Sequence, residues 1–371
     1  MAAFVEWKET TLGEVAAVDW GNTDLTKRAY DPTGAYLAVS AAGCDGRIAH
    51  AEHPIGTTVI SAIGEYAGRV FYPREPFTAI KNTLTVKAKD GVADDDYLHY
   101  LLVKNTVPRR GAAQPFLSKG DTMAYPVVLP PLAEQRSIAA VLSSLDEKVE
   151  LLRRQNETLE QIAQAIFNEW FVKPTVDGAL PSGWQKGKLT DIAVNIRRGI
   201  SAGDIGATTP YIGLEHMPRH SIALSEWAFG VELKSGKFQF KRGEILFGKL
   251  RPYFHKVGVA PIDGVCSTDV LVVAPKSKEW FGQTLCLLSS DAFIKYTTVS
   301  SEGTKMPRTD WHKMADYPIL IPQREIAEEF SDRVSTAVNK ISANIESMRT
   351  LAAIRDALLP RLMSGELTTS N

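Results

Sequence analysis

Cysteine is scarce in this chain and poorly placed for a shared role. Cys44, Cys266 and Cys286 are odd in number, far apart and in no CxxC pair, so neither a disulfide framework nor a thiolate zinc site is expected. Apolar runs of the roughly 18–20 residues that a membrane span needs are missing, and no membrane partner is expected. Met1-Ala2-Ala3-Phe4-Val5 runs straight into Glu6, Trp7 and Lys8, which does not read as a signal peptide and favours a cytoplasmic protein. A charge excess is also absent: 42 Lys and Arg stand against 43 Asp and Glu, for a net −1, without the basic surplus of many nucleic-acid binders. The seven histidines are scattered, and H-E-x-x-H, a Gly-rich dinucleotide loop and a nucleophile elbow are all lacking. The one Pro-Pro pair, Pro130-Pro131, is followed by Leu132, so the Asp/Asn-Pro-Pro-aromatic loop of an adenine methyltransferase is missing too. These absences predict a chain that catalyses nothing by itself and binds no metal.

One near-match needs weighing. Gly243-Glu244-Ile245-Leu246-Phe247-Gly248-Lys249-Leu250 approaches the phosphate-binding pattern G-x-x-x-x-G-K-[ST]. Leu250 removes the hydroxyl that would bind magnesium, and Ile245-Leu246-Phe247 reads as strand rather than as an open nest of amides. A strand followed by a turn is the reading adopted.

What is present is a duplication. Tyr125-Pro126-Val127-Val128-Leu129-Pro130-Pro131, then Gln135-Arg136-Ser137-Ile138-Ala139, returns as Tyr317-Pro318-Ile319-Leu320-Ile321-Pro322, then Gln323-Arg324-Glu325-Ile326-Ala327. Each copy leads into a long charged helix. The period is far beyond the roughly 20–50 residues of a solenoid. It marks a duplicated half, and duplicated halves favour internal two-fold symmetry suited to a two-fold symmetric partner such as duplex DNA.

Two globular segments frame the helices. Residues 1–120 contain short strand-like runs, Ala35–Val39, Thr57–Ile60 and Thr83–Val86, and a helix over 97–104. Residues 186–312 repeat that outline: Leu189-Thr190-Asp191-Ile192-Ala193 echoes Leu12-Gly13-Glu14-Val15-Ala16, and a late helix is expected from Trp280 to Tyr296. Between the segments, Ile138, Leu142, Leu145, Val149, Leu152, Asn156, Leu159, Ala163, Ile166 and Trp170 alternate in steps of four and three, the spacing of a coiled-coil seam. A second helix, Gln323 to Met363, carries a looser seam through Phe330, Val334, Ala337, Ile341, Asn344, Met348, Leu351 and Leu358. Asn156 and Asn344 both fall on a seam and are expected to face each other, because a lone polar seam residue fixes register.

The expected fold is α+β: two mixed α/β heads separated by two long antiparallel helices that form a coiled-coil spacer, with internal pseudo-two-fold symmetry. The boundaries are 1–130 for the first head, 131–173 for the first spacer helix, 174–185 for a linker, 186–320 for the second head, 321–365 for the second spacer helix and 366–371 for a tail.

Positive charge gathers in the second head, where residues 186–312 hold 17 Lys and Arg against 12 Asp and Glu. There Lys249, Arg251, Tyr253, His255 and Lys256 interleave cations with aromatics after a strand, Lys305 and Arg308 form a second basic loop, and Arg197 and Arg198 a third. The first head offers Arg47, Arg69, Lys81, Arg109 and Arg110. Arginine can bridge guanine O6 and N7, whereas lysine and histidine can reach phosphates, so these are the candidate DNA contacts.

These residues resemble a known family. Pro130-Pro131-Leu132-Ala133-Glu134-Gln135-Arg136-Ser137-Ile138, running into a helix that ends Ile166-Phe167-Asn168-Glu169-Trp170-Phe171, is similar to the central conserved region of type I restriction–modification specificity (S) subunits, the HsdS family. Leu180-Pro181-Ser182-Gly183-Trp184 resembles that family's entry to its second target-recognition domain, and Leu358–Leu367 its C-terminal ending. The resemblance implies that each head reads one half of a split DNA target and that the helices set the gap between halves. It further implies two modification subunits that bind S-adenosylmethionine and methylate adenine, and restriction/translocase subunits using ATP and Mg2+, with no cofactor on this chain. The second copy has only Pro322 before Gln323, so the two docking faces need not be equivalent. The competing reading is a coiled-coil scaffold whose heads bind proteins.

Overall fold

Alternating β-branched residues and the two Tyr-Pro segments set up the same pairing twice. In the computed structural model, which describes residues 7–105, 107–111, 115–175, 180–230, 234–303 and 305–369, the chain divides into two compact units. One comprises residues 1–147 and 351–371, the other 148–350, so each long helix contributes to both. Met1–Val5, Thr304 in the second basic loop, residues 176–179 of the linker and the last two residues of the tail lie outside the described residues.

In the first unit, Lys8–Thr11 pairs antiparallel with Pro126–Leu129. The Leu12 N–H donates to the Tyr125 carbonyl at 2.9 Å and starts a one-turn helix, Leu12–Val15. A four-stranded antiparallel sheet follows in the order Ala16–Trp20, Thr83–Ala88, Thr58–Ser61, Val70–Phe71. A second sheet holds Gly43–Ile48, Tyr36–Ser40 and Phe77–Ala79, the last two parallel. The helix Asp95–Lys104 begins where the Asp94 carboxylate accepts from the Tyr97 N–H at 3.0 Å. Its Tyr97, Leu98, Leu101 and Leu102 join Leu12, Ile138, Leu142, Leu359 and Leu362 in one apolar core.

The second unit repeats this wiring. Gln185–Lys188 pairs antiparallel with Pro318–Ile321, and the Leu189 N–H donates to the Tyr317 carbonyl, again at 2.9 Å. The one-turn helix Leu189–Ile192 leads into a four-stranded sheet of Ala193–Ile196, Val270–Pro275, Ile245–Gly248 and Val257–Val259. The other sheet has five strands, with Pro210–Ile212 parallel to Gly264–Cys266 as Tyr36–Ser40 is to Phe77–Ala79. The near-match at Gly243 is strand: Ile245, Leu246 and Phe247 are wholly buried at the centre of the sheet. One expectation needs correction. The late helix is two, Phe281–Leu288 and Asp291–Val299, because the Ser290 hydroxyl caps a new start by accepting from the Phe293 N–H.

The long helices span Leu132–Phe167, extended by a wider turn over Asn168–Val172, and Arg324–Leu362. Within the second unit they run antiparallel: Phe167 meets Phe330 with ring centroids 6.2 Å apart, and Asn156 meets Asn344. Leu152, Asn156 and Ala163 are buried, whereas Leu145, Val149 and Leu159 are half-buried. On the second helix Phe330, Val334, Ile341, Asn344 and Met348 are buried as expected, but Val338 and Ile345 are buried where Ala337 is only half-buried. That helix also packs on its own head, where the Ser331 hydroxyl accepts from the Gly282 N–H at 2.9 Å and donates to the Glu279 carbonyl. Its apolar face is therefore wider than a two-helix seam. Among the described residues, no helix is long and apolar enough to cross a membrane.

Candidate nucleic-acid interface

The basic loops of the second head converge. The Arg251 N–H donates to the Pro307 carbonyl at 2.7 Å, the Thr309 N–H to the Lys249 carbonyl at 3.0 Å, and Leu250 bridges Arg308. Lys249, Arg251, Tyr253, Lys305 and Arg308 consequently belong to one stitched pair of loops. Lys249 and Lys305 make no ion pair with a described residue, and Tyr253 is exposed. Arg308 is steered by Asp269, 3.1 Å from its Nε.

The first head builds the same loop pair from different residues. The Gly64 N–H donates to the Pro115 carbonyl at 2.8 Å, the Leu117 N–H to the Ala62 carbonyl at 2.7 Å, and Ile63 bridges Phe116. Arg110 bridges Phe116 across the later loop as Glu302 bridges Arg308. Arg69 lies over the Tyr66 ring at 4.6 Å, and Arg109 reaches back to the Ala67 carbonyl. Lys81 is exposed beside Asn82, whose carbonyl accepts from the Ala62 N–H. Exposed Tyr66 and Phe116, absent from the sequence-derived set, add apolar faces to this surface.

Arg251 has the equivalent of the Gly64 position. Gly64 takes φ +82°, a left-handed conformation that costs glycine nothing, whereas Arg251 takes φ +51°. A non-glycine residue there carries strain of about 1–2 kcal/mol, which singles out the side chain as the reason for its presence. Its Nε is buried without a hydrogen-bond partner among the described residues, and its guanidinium lies 5.9 Å from the Phe254 ring centroid.

Other candidates are occupied by the fold. Arg47 donates from Nε and Nη2 to the Gly34 and Ala35 carbonyls and pairs with Glu75, tying the end of its strand to the segment that enters Tyr36–Ser40. Arg110 pairs with Asp121. Arg198 forms a bidentate pair with Glu244 at 2.6 and 2.8 Å, and the neighbouring Arg197 rests 5.8 Å from the Phe238 ring centroid. The Lys256 ammonium donates to the Leu214 carbonyl, and burial lowers its pKa. His255 is 7% exposed, with its pKa also lowered by burial. Its Nε2 lies 2.9 Å from the Ser289 carbonyl, and its ring lies 4.5 Å from that of His220.

Similarity to known proteins agrees with this duplicated design. The type I restriction modification DNA specificity domain matches residues 5–161. The MjaIX specificity subunit of Methanocaldococcus jannaschii is 27% identical over 344 residues, covering 85% of this chain and 78% of the relative. The EcoDI specificity subunit of Escherichia coli is 23% identical over 98% of this chain and 89% of its own length. A solved S subunit of a type I restriction–modification system from M. genitalium shares the fold, with a TM-score of 0.62 at 16% identity over 98% of this chain and 97% of its own. Two heads with one wiring, each followed by a long helix with a Gln-Arg pair at or near its start, accompany this likeness; residues 5–161 carry the type I restriction modification DNA specificity domain, and the chain as a whole is similar to type I restriction enzyme specificity subunits.

Proposed function

We propose that this chain reads a bipartite DNA target, one half-site per head, and directs adenine methylation and restriction carried out by partner subunits. The observation that carries the reading is the repeated loop pair: Arg251 with Pro307 in one head, Gly64 with Pro115 in the other, each presenting cations and aromatics from the same backbone frame. Identical frames with different side chains are what two half-sites of different sequence call for. Base edges are read by a few side chains in a groove, while phosphate contacts only position them.

In this reading, residues 1–130 and 186–320 are target-recognition domains, and 131–173 and 321–365 are antiparallel spacer helices that set the gap. The linker 174–185 joins the halves, and 366–371 is a tail. Two weak modules on a stiff spacer gain affinity through effective concentration, but only on sites with the right separation. The helices dock two modification subunits that hold S-adenosylmethionine, and restriction subunits bring ATP and Mg2+. This chain supplies recognition and no chemical step.

The test is methylation mapping. The chain is co-expressed with its neighbouring modification subunit in a host lacking other adenine methylation, and modified bases are located genome-wide. One split motif, methylated only when this chain is present, is the expected result. Methylation independent of the chain, or none despite a stable complex, would replace the reading with that of a protein-binding scaffold.

A further inference from the structure

Three residues that the sequence scatters come together in the second unit. A donor nitrogen of His220, one of His255 and a carboxylate oxygen of Asp291 all lie within 4.8 Å of one another. The His220 N–H donates to the His255 carbonyl at 3.0 Å, which holds the two segments side by side. Both histidines take left-handed backbone conformations, φ +56° and +49°, uncommon for residues other than glycine and costly enough to need a compensating interaction.

His255 carries the argument furthest. Its Nε2 faces the Ser289 carbonyl at 2.9 Å. A carbonyl can only accept, so Nε2 bears the proton and Nδ1 of the neutral ring is a bare lone pair. That Nδ1 is buried, has no hydrogen-bond partner among the described residues, and faces the Asp291 carboxylate oxygen at 3.5 Å. Two acceptors therefore point at one spot in the neutral ring, a repulsion that either a proton on Nδ1 or a metal cation between the two would relieve. Metal-binding histidines show this arrangement: one ring nitrogen donates to a backbone carbonyl, fixing the tautomer, and the other meets the metal.

We propose that His220, His255 and Asp291 form a binding site for a divalent transition-metal ion, zinc above all, with a fourth position open to the adjoining cavity. Two imidazoles and a carboxylate suit zinc, and zinc–nitrogen bonds of about 2.0–2.1 Å place tetrahedral donors about 3.4 Å apart. The 3.5 Å between His255 and Asp291 already matches. His220 and Asp291 are exposed and free to rotate inward, while His255 is fixed. The cavity, about 1140 Å3, is also lined by Arg219, Glu160 and Tyr317, leaving room for water in the fourth position. The ion would clamp the Pro252–Phe254 turn between His255, the His220 segment and the start of the helix Asp291–Val299. Glu160 of the first long helix already anchors the His220 segment, accepting from the Ser221 hydroxyl at 2.8 Å and the Ile222 N–H at 3.1 Å.

The experiment uses the full-length chain, free of affinity tags, stripped with EDTA and titrated with zinc chloride against a chromophoric chelator. One zinc ion per chain is expected, and cobalt(II) in its place should give the visible absorption of a tetrahedral site. His220→Ala and Asp291→Asn, both exposed and safe for folding, should each weaken binding by at least about tenfold. His312→Ala, an exposed histidine elsewhere on the same unit, should leave it unchanged. Absence of stoichiometric binding, or equal affinity in His220→Ala and the parent, overturns the proposal, as does an equal loss in His312→Ala. The readout is independent of DNA recognition.

Discussion

Asn344 donates from Nδ2 to Oδ1 of Asn156 at 2.8 Å, across 188 residues of sequence and within the buried face between the two long helices. The same Nδ2 lies 3.3 Å from Gln155 Oε1, while Asn156 Nδ2 has no partner among the described residues. A half-satisfied pair is a weak source of stability and a strong source of register, since any slip would bury an amide against leucine or isoleucine. Replacing Asn344 alone with Leu should therefore cost about 1–3 kcal/mol by stranding Asn156. Replacing both with Leu should recover that loss or exceed the parent. Urea titrations of the helical signal for the two single variants and the double variant would check this; additive losses would show that the asparagines do not act as a pair.

The helices were legible because their information is local and periodic. Strict four-three spacing marks Ile138 to Trp170, and the Gln-Arg offset pairs Asn156 with Asn344 from the sequence alone. The shift from Ala337 to Val338 and Ile345 was not legible, because it depends on the head that packs against the second helix. Candidate contacts were harder still. Arginine at 47 and at 198 looks as available as Arg251 until their partners, Glu75 and Glu244, arrive from 28 and 46 residues away. A further signal lies in the sequence itself: Gly111 and Pro115 recur at Gly303 and Pro307, with the 192-residue offset of the Tyr-Pro pair, and they frame the repeated loop. The meeting of His220, His255 and Asp291 has no periodicity, and only the tertiary fold creates it.

A polar cluster in the first unit offers a second test of the helix packing. Asp146 accepts from the Tyr100 hydroxyl at 2.6 Å and from Arg355 Nη1 at 2.5 Å, joining the head's helix to both long helices. Burial and this hydrogen bond push the Tyr100 phenol well above its ordinary range, so the ring stays a donor at any working pH. Asp146→Ala strands the Tyr100 hydroxyl and removes one of two carboxylate partners of Arg355, which keeps Asp356, and should destabilise the unit by about 1–3 kcal/mol. Arg355→Ala should cost less, because Tyr100 keeps its acceptor. Thermal unfolding of the two variants side by side decides the order, and a larger loss in Arg355→Ala would contradict it.

His99 makes the first unit sensitive to acid. It stacks on Tyr72 with ring centroids 4.5 Å apart, and burial, helped by nearby Arg74, holds its pKa down to about 4. In the unfolded chain the value is about 6.5. Between those values the unfolded state binds the extra proton, so stability is full above about pH 6.5 and is lost as pH falls towards 4. The loss is at most about 3 kcal/mol. His99→Phe keeps the stacking and removes the proton site. Urea midpoints at pH 7 and pH 4.5 should therefore differ less in the variant than in the parent; equal differences would mean that other groups carry the acid response.

Arg251 allows function and stability to be separated by sign. It holds the left-handed position that the other head gives to Gly64, so its backbone conformation costs about 1–2 kcal/mol that glycine would not incur. Arg251→Gly should therefore leave the second unit as stable as the parent or more so, even though the guanidinium and its contact with the Phe254 ring are lost. If Arg251 reads a base, the same variant should lose about 1–3 kcal/mol of discrimination at one position of one half-site, with the other half-site unchanged. Methylation kinetics on targets altered one base pair at a time, using the assembled methyltransferase, separate the cases. Relaxed specificity at one position together with undiminished stability identifies a base-reading side chain retained at the expense of the fold. A uniform loss on every target, with a shallower salt dependence, would make Arg251 a phosphate contact. A destabilised Arg251→Gly would show that the side chain serves the packing of the loop pair instead.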